Sequence, residues 1–201
     1  MTAMNIENWR ETALLTLVDS SNNKMNFALI TESFDFKPGD KDIDPVPMVN
    51  GGRIVKFNPE GPFEFSGKIV PLGAGTTAAS IEGFWQHMHP QGTPKGAGAI
   101  QVFNTRRRNV YDVAIMMTSG TYPADATAAS PAAADSQRVA VRNAYITAEP
   151  YSFSTSDGWM ADITIKGAPF TKAGASNISF ESTDAASTAI AILSWTNATN
   201  P

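Results

Sequence analysis

The reading of residues 137 to 167, QRVAVRNAYITAEPYSFSTSDGWMADITIKG, decides the fold class. Its apolar residues recur at every second position. Val139 and Val141 fall on one face of the first part, with Arg138, Ala140 and Arg142 on the other. In the last part Ala161, Ile163 and Ile165 alternate with Met160, Asp162, Thr164 and Lys166. A period of two is the repeat of an extended strand, whose side chains point alternately to its two faces. Between the two parts, STSDG ends in Asp157-Gly158, a pair that tolerates the positive φ of a tight turn. The segment therefore predicts an antiparallel hairpin.

Working outward, the same period recurs. PFEFSGKIV sets Phe63, Phe65, Gly67 and Ile69 against Glu64, Ser66 and Lys68. In NFALITESFDF, Phe27, Leu29 and Thr31 share a face before Phe34 and Phe36 begin a second register. GGRIVKF (51 to 57) is a further strand candidate, and the NPEG that follows it predicts a hairpin to PFEFSGKIV. AIQVFN, NVYDVAIMMT, NISFES and TAIAILSWT complete the set, the last compatible also with a helix.

Helix is scarce. Ile81, Phe84, Trp85 and Met88 form one stripe at i, i+3, i+4 and i+7, which predicts a short helix over 77 to 88 packed on a sheet and stopped by Pro90. Residues 7 to 18 are a second helix candidate. Two loops stand out. FKPGDKDIDPVPMVNGG (36 to 52) carries three prolines and three glycines and is excluded as a central strand. SGTYPADATAASPAAADS (119 to 136) is rich in Ala, Ser and Pro and is expected to be mobile. No internal repeat or linker divides the 201 residues, so one mainly β domain is expected, an antiparallel sandwich or barrel with one short flanking helix and long loops.

Composition narrows the function classes. The absence of cysteine excludes disulfides and thiolate chemistry. A net charge of −4 argues against a protein built to grip nucleic acid. No apolar run reaches membrane-spanning length, and the N-terminal residues lack the pattern of a signal peptide. Charged residues make up only 17% of the chain. Surfaces poor in Lys and Glu are characteristic of extensive protein interfaces.

Each motif with a chemical reading has a plainer one. Gly73, Gly75 and Ala78 match the spacing of a dinucleotide-binding turn, but Pro71 interrupts the strand before it and no βαβ alternation follows. They are read as a turn leading into the short helix, and no cofactor is expected. His87 and His89 form an H-x-H pair and are metal candidates, although a site needs further ligands. Asp40, Asp42 and Asp44 open like a calcium loop, yet Pro45 and Gly51 stand where that loop needs glycine and glutamate. A solvated acidic loop is the default. Arg106, Arg107 and Arg108 suit a turn or ion pairs across a subunit boundary. No residue takes a catalytic role.

The run VRNAYITAEPYSFSTSDGWMADITIKGAPF resembles the C-terminal part of major tail tube proteins of tailed viruses. The Asp-Pro loop, NGGRIVKFNPEGPFEFSGKIVP and the short helix after it are similar to the middle of the same family. The resemblance implies a fold shared with the tube protein of type VI secretion systems and with the inner tubes of contractile tails. It implies hexameric rings that stack into a tube through which a viral genome passes without specific binding. The implied partners are other copies of the chain, a tail terminator, baseplate or tip proteins and a tape-measure protein. The implied location is the tail of a virion assembled in a host cytoplasm, with no membrane insertion. The linking role then falls to the 36 to 52 loop, with Phe36, Asp40, Asp42, Asp44, Pro45, Met48 and Arg53 as interface candidates. Asp162, Thr164 and Lys166 are candidates for a lumen-facing surface. A decoration or adhesin module, and a jelly-roll hydrolase using His87 and His89, are the alternative expectations.

Overall fold

In the computed structural model, which describes residues 12–20, 22, 24–57, 59–71, 93–94, 100–101, 110–148, 151–154, 158–183 and 188–194, the alternating segments close into a barrel. Its wall consists of β1 (Thr12–Val18), β2 (Lys24–Lys37), β5 (Phe63–Pro71), β11 (Gly158–Gly167), β9 (Ser136–Ala148) and β8 (Val110–Thr118). Every pairing is antiparallel, in the order β8-β1-β2-β5-β11, and β9 joins both β8 and β11 to complete the ring. Two strands extend the wall: β10 (Tyr151–Ser154) on β11, and β12 (Ile178–Thr183) on the first half of β9. Apart from the wall stand the hairpin β3 (Ile43–Pro47) and β4 (Arg53–Phe57), and the short pair β6 (Thr93–Pro94) and β7 (Ile100–Gln101).

The barrel interior is filled by the expected inward faces. Phe63, Phe65 and Ile69 of β5 meet Ala161, Ile163 and Ile165 of β11, with Leu15, Leu17, Phe27, Val113 and Ile115 from the other wall. Each such side chain contributes about 1.5–3 kcal/mol by leaving water. Gly167 is held to glycine by this packing, since a Cβ there would lie 2.5 Å from the Phe63 ring.

Around β1 and β8 a second layer forms on the outside. Leu14, Ala114 and Met116 are covered by Ala126, Tyr122 and Leu193, which belong to the 119–136 segment and to residues 188–194. Those two stretches are sewn together: Ser130 N–H donates to Ile190 O (2.9 Å), Ile190 N–H to Ser130 Oγ (2.8 Å) and Leu193 N–H to Thr127 O (2.9 Å). They are also sewn to the barrel. Buried Thr16 accepts from Ala126 N–H (2.8 Å), and Lys24 Nζ reaches Asp125 Oδ2 (3.1 Å) and Thr127 Oγ1 (2.7 Å). Burial alone would raise the Asp125 pKa, but hydrogen bonds from Thr127 and Lys24 and the Lys24 charge outweigh it and hold the carboxyl below its ordinary value.

Arg138 is the knot of this layer. Its guanidinium donates to Glu181 Oε2 on β12 (2.5 Å), to Ala128 O (2.9 Å) and to Ala191 O (2.8 Å), with a longer reach to Ala126 O (3.4 Å). A buried guanidinium is tolerable only when its donors are paired in this way. On the same strand Asn143 takes a φ of 53° at an irregularity in the β8–β9 register, and its N–H donates to Asp112 Oδ1 (3.1 Å). Burial raises the Asp112 pKa, against the lowering effects of that hydrogen bond and of Arg142.

Several expectations are corrected. Residues 12–18 are strand, not the end of a helix; TALLTLV shows no alternation because both faces of β1 are covered. β4 pairs with β3, so NPEG does not turn β4 back onto β5. The 36–52 segment is not loop throughout, because it holds the end of β2 and all of β3. The 119–136 segment, expected to be mobile, packs on the barrel through Tyr122 and Ala126, and residues 188–194 are neither strand nor helix. Arg138 and Ala140, on the face of β9 opposite Val141, are buried as well. The hairpin expected at STSDG joins β10 to β11 and not β9 to β11, with Ser154 opposite Gly158. The helix expected over 77–88, with Ile81, Phe84, Trp85 and Met88, lies outside the described residues, as do Gly73, Gly75, Arg106, Arg107 and Arg108.

Candidate assembly surface

The β3–β4 hairpin is an arm that leaves the barrel between Lys37 and Phe63. Its base is tight. Gly61 N–H donates to Asp40 O (2.8 Å), and Gly39 takes a φ of 112° with room for no side chain, since a Cβ would lie 2.6 Å from Gly61 O. Its tip is built from Met48 N–H to Gly52 O (2.7 Å), Gly51 N–H to Met48 O (3.0 Å) and Gly52 N–H to Asn50 Oδ1 (3.0 Å), with Gly51 at a φ of 81°.

Between base and tip nothing in the described chain covers it. Every residue from Asp40 to Lys56 is exposed. Of the nine large hydrophobic residues exposed among the described residues, six are here: Ile43, Val46, Met48, Val49, Ile54 and Val55. Val49, at the tip, is entirely open to solvent. A lone two-stranded hairpin is marginal in water, and a hydrophobic unpaired edge invites another chain. The arm therefore spends apolar residues where its own barrel gains nothing from them.

A second exposed apolar group lies on the barrel rim. Phe180 of β12 is 64% exposed and meets Phe36 of β2 edge-on, with ring centroids 5.7 Å apart. Phe36 and its neighbour Phe34, the latter 5.2 Å from Phe65, are partly buried against the barrel core. β12 and β10 end the sheet, so each leaves an edge without a strand partner among the described residues.

Asp40, Asp42, Asp44, Pro45, Met48 and Arg53 all fall on the arm and are exposed, whereas Phe36 sits at the rim. The structure thus gathers six of the seven interface candidates on one projection. Ile43, Val46, Val49, Ile54, Val55 and Phe180 are exposed apolar residues that the sequence pattern did not single out. Two adjacent branched residues in GGRIVKF look like core material, and only burial tells that they face solvent.

The remaining candidates scatter. Asp162, Thr164 and Lys166 share the outer barrel wall with Glu64, Ser66 and Lys68; Lys166 pairs with Glu64 at 2.8 Å, and the register sets Asp162 opposite Lys68. His87 and His89 lie outside the described residues. Among the described residues no three His, Cys, Asp or Glu side chains group as a metal site, and no helix is long and apolar enough to cross a membrane.

No family model and no curated protein matches the chain. Among solved structures it is similar to a chain of the sheath–tube complex of an extracellular contractile injection system, PVC, in the extended state, at 14% identity and a TM-score of 0.45, covering 86% of this chain and 90% of that one. It is also similar to the Hcp1 protein of E. coli EAEC 042, at 8% identity and a TM-score of 0.38 over 86% and 99% of the two chains. A chain of the anti-feeding prophage baseplate is similar at 6% identity and a TM-score of 0.40 over 88% and 95%.

Proposed function

We propose that this chain is a structural subunit that assembles with itself into rings, hexameric by the family resemblance, that stack into a tube. The observation that carries the reading is the arm, a hairpin rich in exposed apolar residues on an otherwise closed barrel. A monomer gains no stability from it. A neighbouring copy that buries it gains about 0.8 kcal/mol per methylene removed from water. The polar outer wall of β5 and β11 is the candidate lumen surface, since its charges alternate in sign and are paired at Lys166 and Glu64, offering no net positive field to phosphate. In this reading the tube conducts a viral genome in a virion tail, with terminator, baseplate or tip, and tape-measure proteins at its ends and inside it.

Negative-stain electron microscopy of the purified chain over a concentration series tests the proposal. Rings or tubes with an axial hole are the expected result. Uniform small particles at every concentration, with the arm digested as fast as an unfolded peptide, would overturn it in favour of a monomeric decoration module.

A further inference from the structure

The two edges of the arm are chemically unlike. Met48 N–H donates to Gly52 O, which sets the alternation of the ladder: Val46 with Ile54 and Asp44 with Lys56 exchange hydrogen bonds. The intervening pairs are Ile43 with Phe57, Pro45 with Val55 and Pro47 with Arg53, whose backbone groups point away from the partner strand. On the β3 side two of the three outward positions, Pro45 and Pro47, are prolines, so from Pro45 to the tip that edge offers carbonyls and no N–H. On the β4 side they are Arg53, Val55 and Phe57, and each offers both an N–H and a C=O. Toward the tip one edge of the arm is closed to strand addition, and the other has no strand partner among the described residues.

β12 follows the same alternation. Arg142 N–H donates to Asn177 O (2.8 Å), so residues 179, 181 and 183 turn their backbone groups toward β9 while 178, 180 and 182 turn theirs outward. At Ile178 both groups are already taken, since Ser176 Oγ accepts from its N–H (3.1 Å) and donates to its C=O (2.8 Å). That leaves Phe180 and Ser182. Arg53 and Val55 near the tip of β4, and Phe180 and Ser182 on β12, thus form two outward pairs spaced i and i+2 on separate edges, without strand partners among the described residues.

We propose that β4 of one copy adds antiparallel to β12 of the next, with Val55 opposite Phe180 and Arg53 opposite Ser182. The two reciprocal pairs of backbone hydrogen bonds would satisfy the outward groups of Arg53, Val55, Phe180 and Ser182, and would leave only those of Phe57, opposite Ile178. The same register brings Val55 and Phe180, 49% and 64% exposed, onto one face as an apolar cross-strand pair. Slipping the register to set Val55 against Ile178 would forfeit a pair, because Ser176 occupies that position; slipping it the other way, Phe57 against Phe180, keeps two pairs and is told apart by a Val55→Cys and Phe180→Cys crosslink. Donor and acceptor edges are different surfaces, so the contact is head-to-tail: each copy lends one arm and receives one, and association propagates to a ring or a filament. The inference rests on the self-assembly reading and names the partner and register of its contact.

Val55→Pro is the direct test. It removes the outward N–H of β4 at a position equivalent to Pro45, and so leaves the internal ladder of the arm intact. Assembly should weaken by roughly tenfold or more, whereas Val55→Thr, which keeps the backbone, should assemble nearly as the wild type. Barrel melting should be unchanged in both. The chain has no cysteine, so Val55→Cys and Phe180→Cys chains can be mixed and oxidised with no competing thiol. A mixed disulfide between the two variants is expected, and disulfide from Val55→Cys alone would instead show arms pairing two-fold and overturn the proposal. Tubes from wild type and Val55→Pro alike would overturn strand addition while leaving the tube reading. Mixed disulfides without rings or tubes would do the reverse.

Discussion

The fully buried guanidinium of Arg138 donates to Glu181 across the β9–β12 pair and, through its other nitrogens, to carbonyls of Ala128 and Ala191. One side chain thus ties a barrel strand, the edge strand β12, the 119–136 segment and the 188–194 segment into a single layer. Replacing it with Met keeps much of the volume but leaves a carboxylate and those carbonyls without donors. Arg138→Met should lose about 3–5 kcal/mol of stability in urea denaturation. Glu181→Gln, whose side chain is one-third exposed, should cost about 1 kcal/mol.

Two carboxyls should shape the pH dependence in opposite senses. Asp112 has a folded pKa raised from 3.8 by burial, so the native state holds the proton more tightly and stability falls as pH rises from 3.8 through the folded value. Asp125 is lowered, so its contribution is present above 3.8 and is lost as pH falls through the folded value. Asp112→Asn should remove the first slope while its amide oxygen still accepts from Asn143 N–H, and Asp125→Asn should remove part of the acid limb. Denaturation midpoints measured from about pH 3 to about pH 7 decide both.

The arm is separable from the barrel. Asp40 O and Gly61 N are hydrogen-bonded at 2.8 Å, so removing residues 41–60 and joining Asp40 to Gly61 asks little of the flanking chain. The shortened chain should melt within about 1 kcal/mol of the full one, since the excised residues carry few barrel contacts. It should fail to form higher assemblies in sedimentation velocity runs at concentrations where the full chain forms them.

Gly39 sets the direction in which the arm leaves. Gly39→Ala places a methyl 2.6 Å from Gly61 O at a φ of 112°, a strain of about 1–3 kcal/mol. Hydrogen exchange should quicken over residues 40 to 61 while barrel amides keep their protection, and assembly should weaken without loss of fold.

By itself, the sequence determined the strands whose two faces differ. β5, β9 and β11 alternate because one face lines the barrel and the other meets something more polar, and the antiparallel β class follows from them. β1 and β8 were not legible in the same way. Leu14 and Leu15 are both buried, on opposite faces, so TALLTLV carries no period, and the cause is the second layer brought from more than a hundred residues away. That layer was itself unreadable. Ala, Ser and Pro in 119–136 describe a mobile loop as well as a packed one, and the difference lies in partners such as Ile190, Leu193 and Arg138. In the arm, Pro45 and Pro47 excluded a central strand correctly, but a missing N–H does not exclude an edge strand whose outward positions need no donor. The local chain determines the period and the turn chemistry. Which faces are covered, and which edges remain open, depends on long-range pairing, and only the tertiary structure decides that.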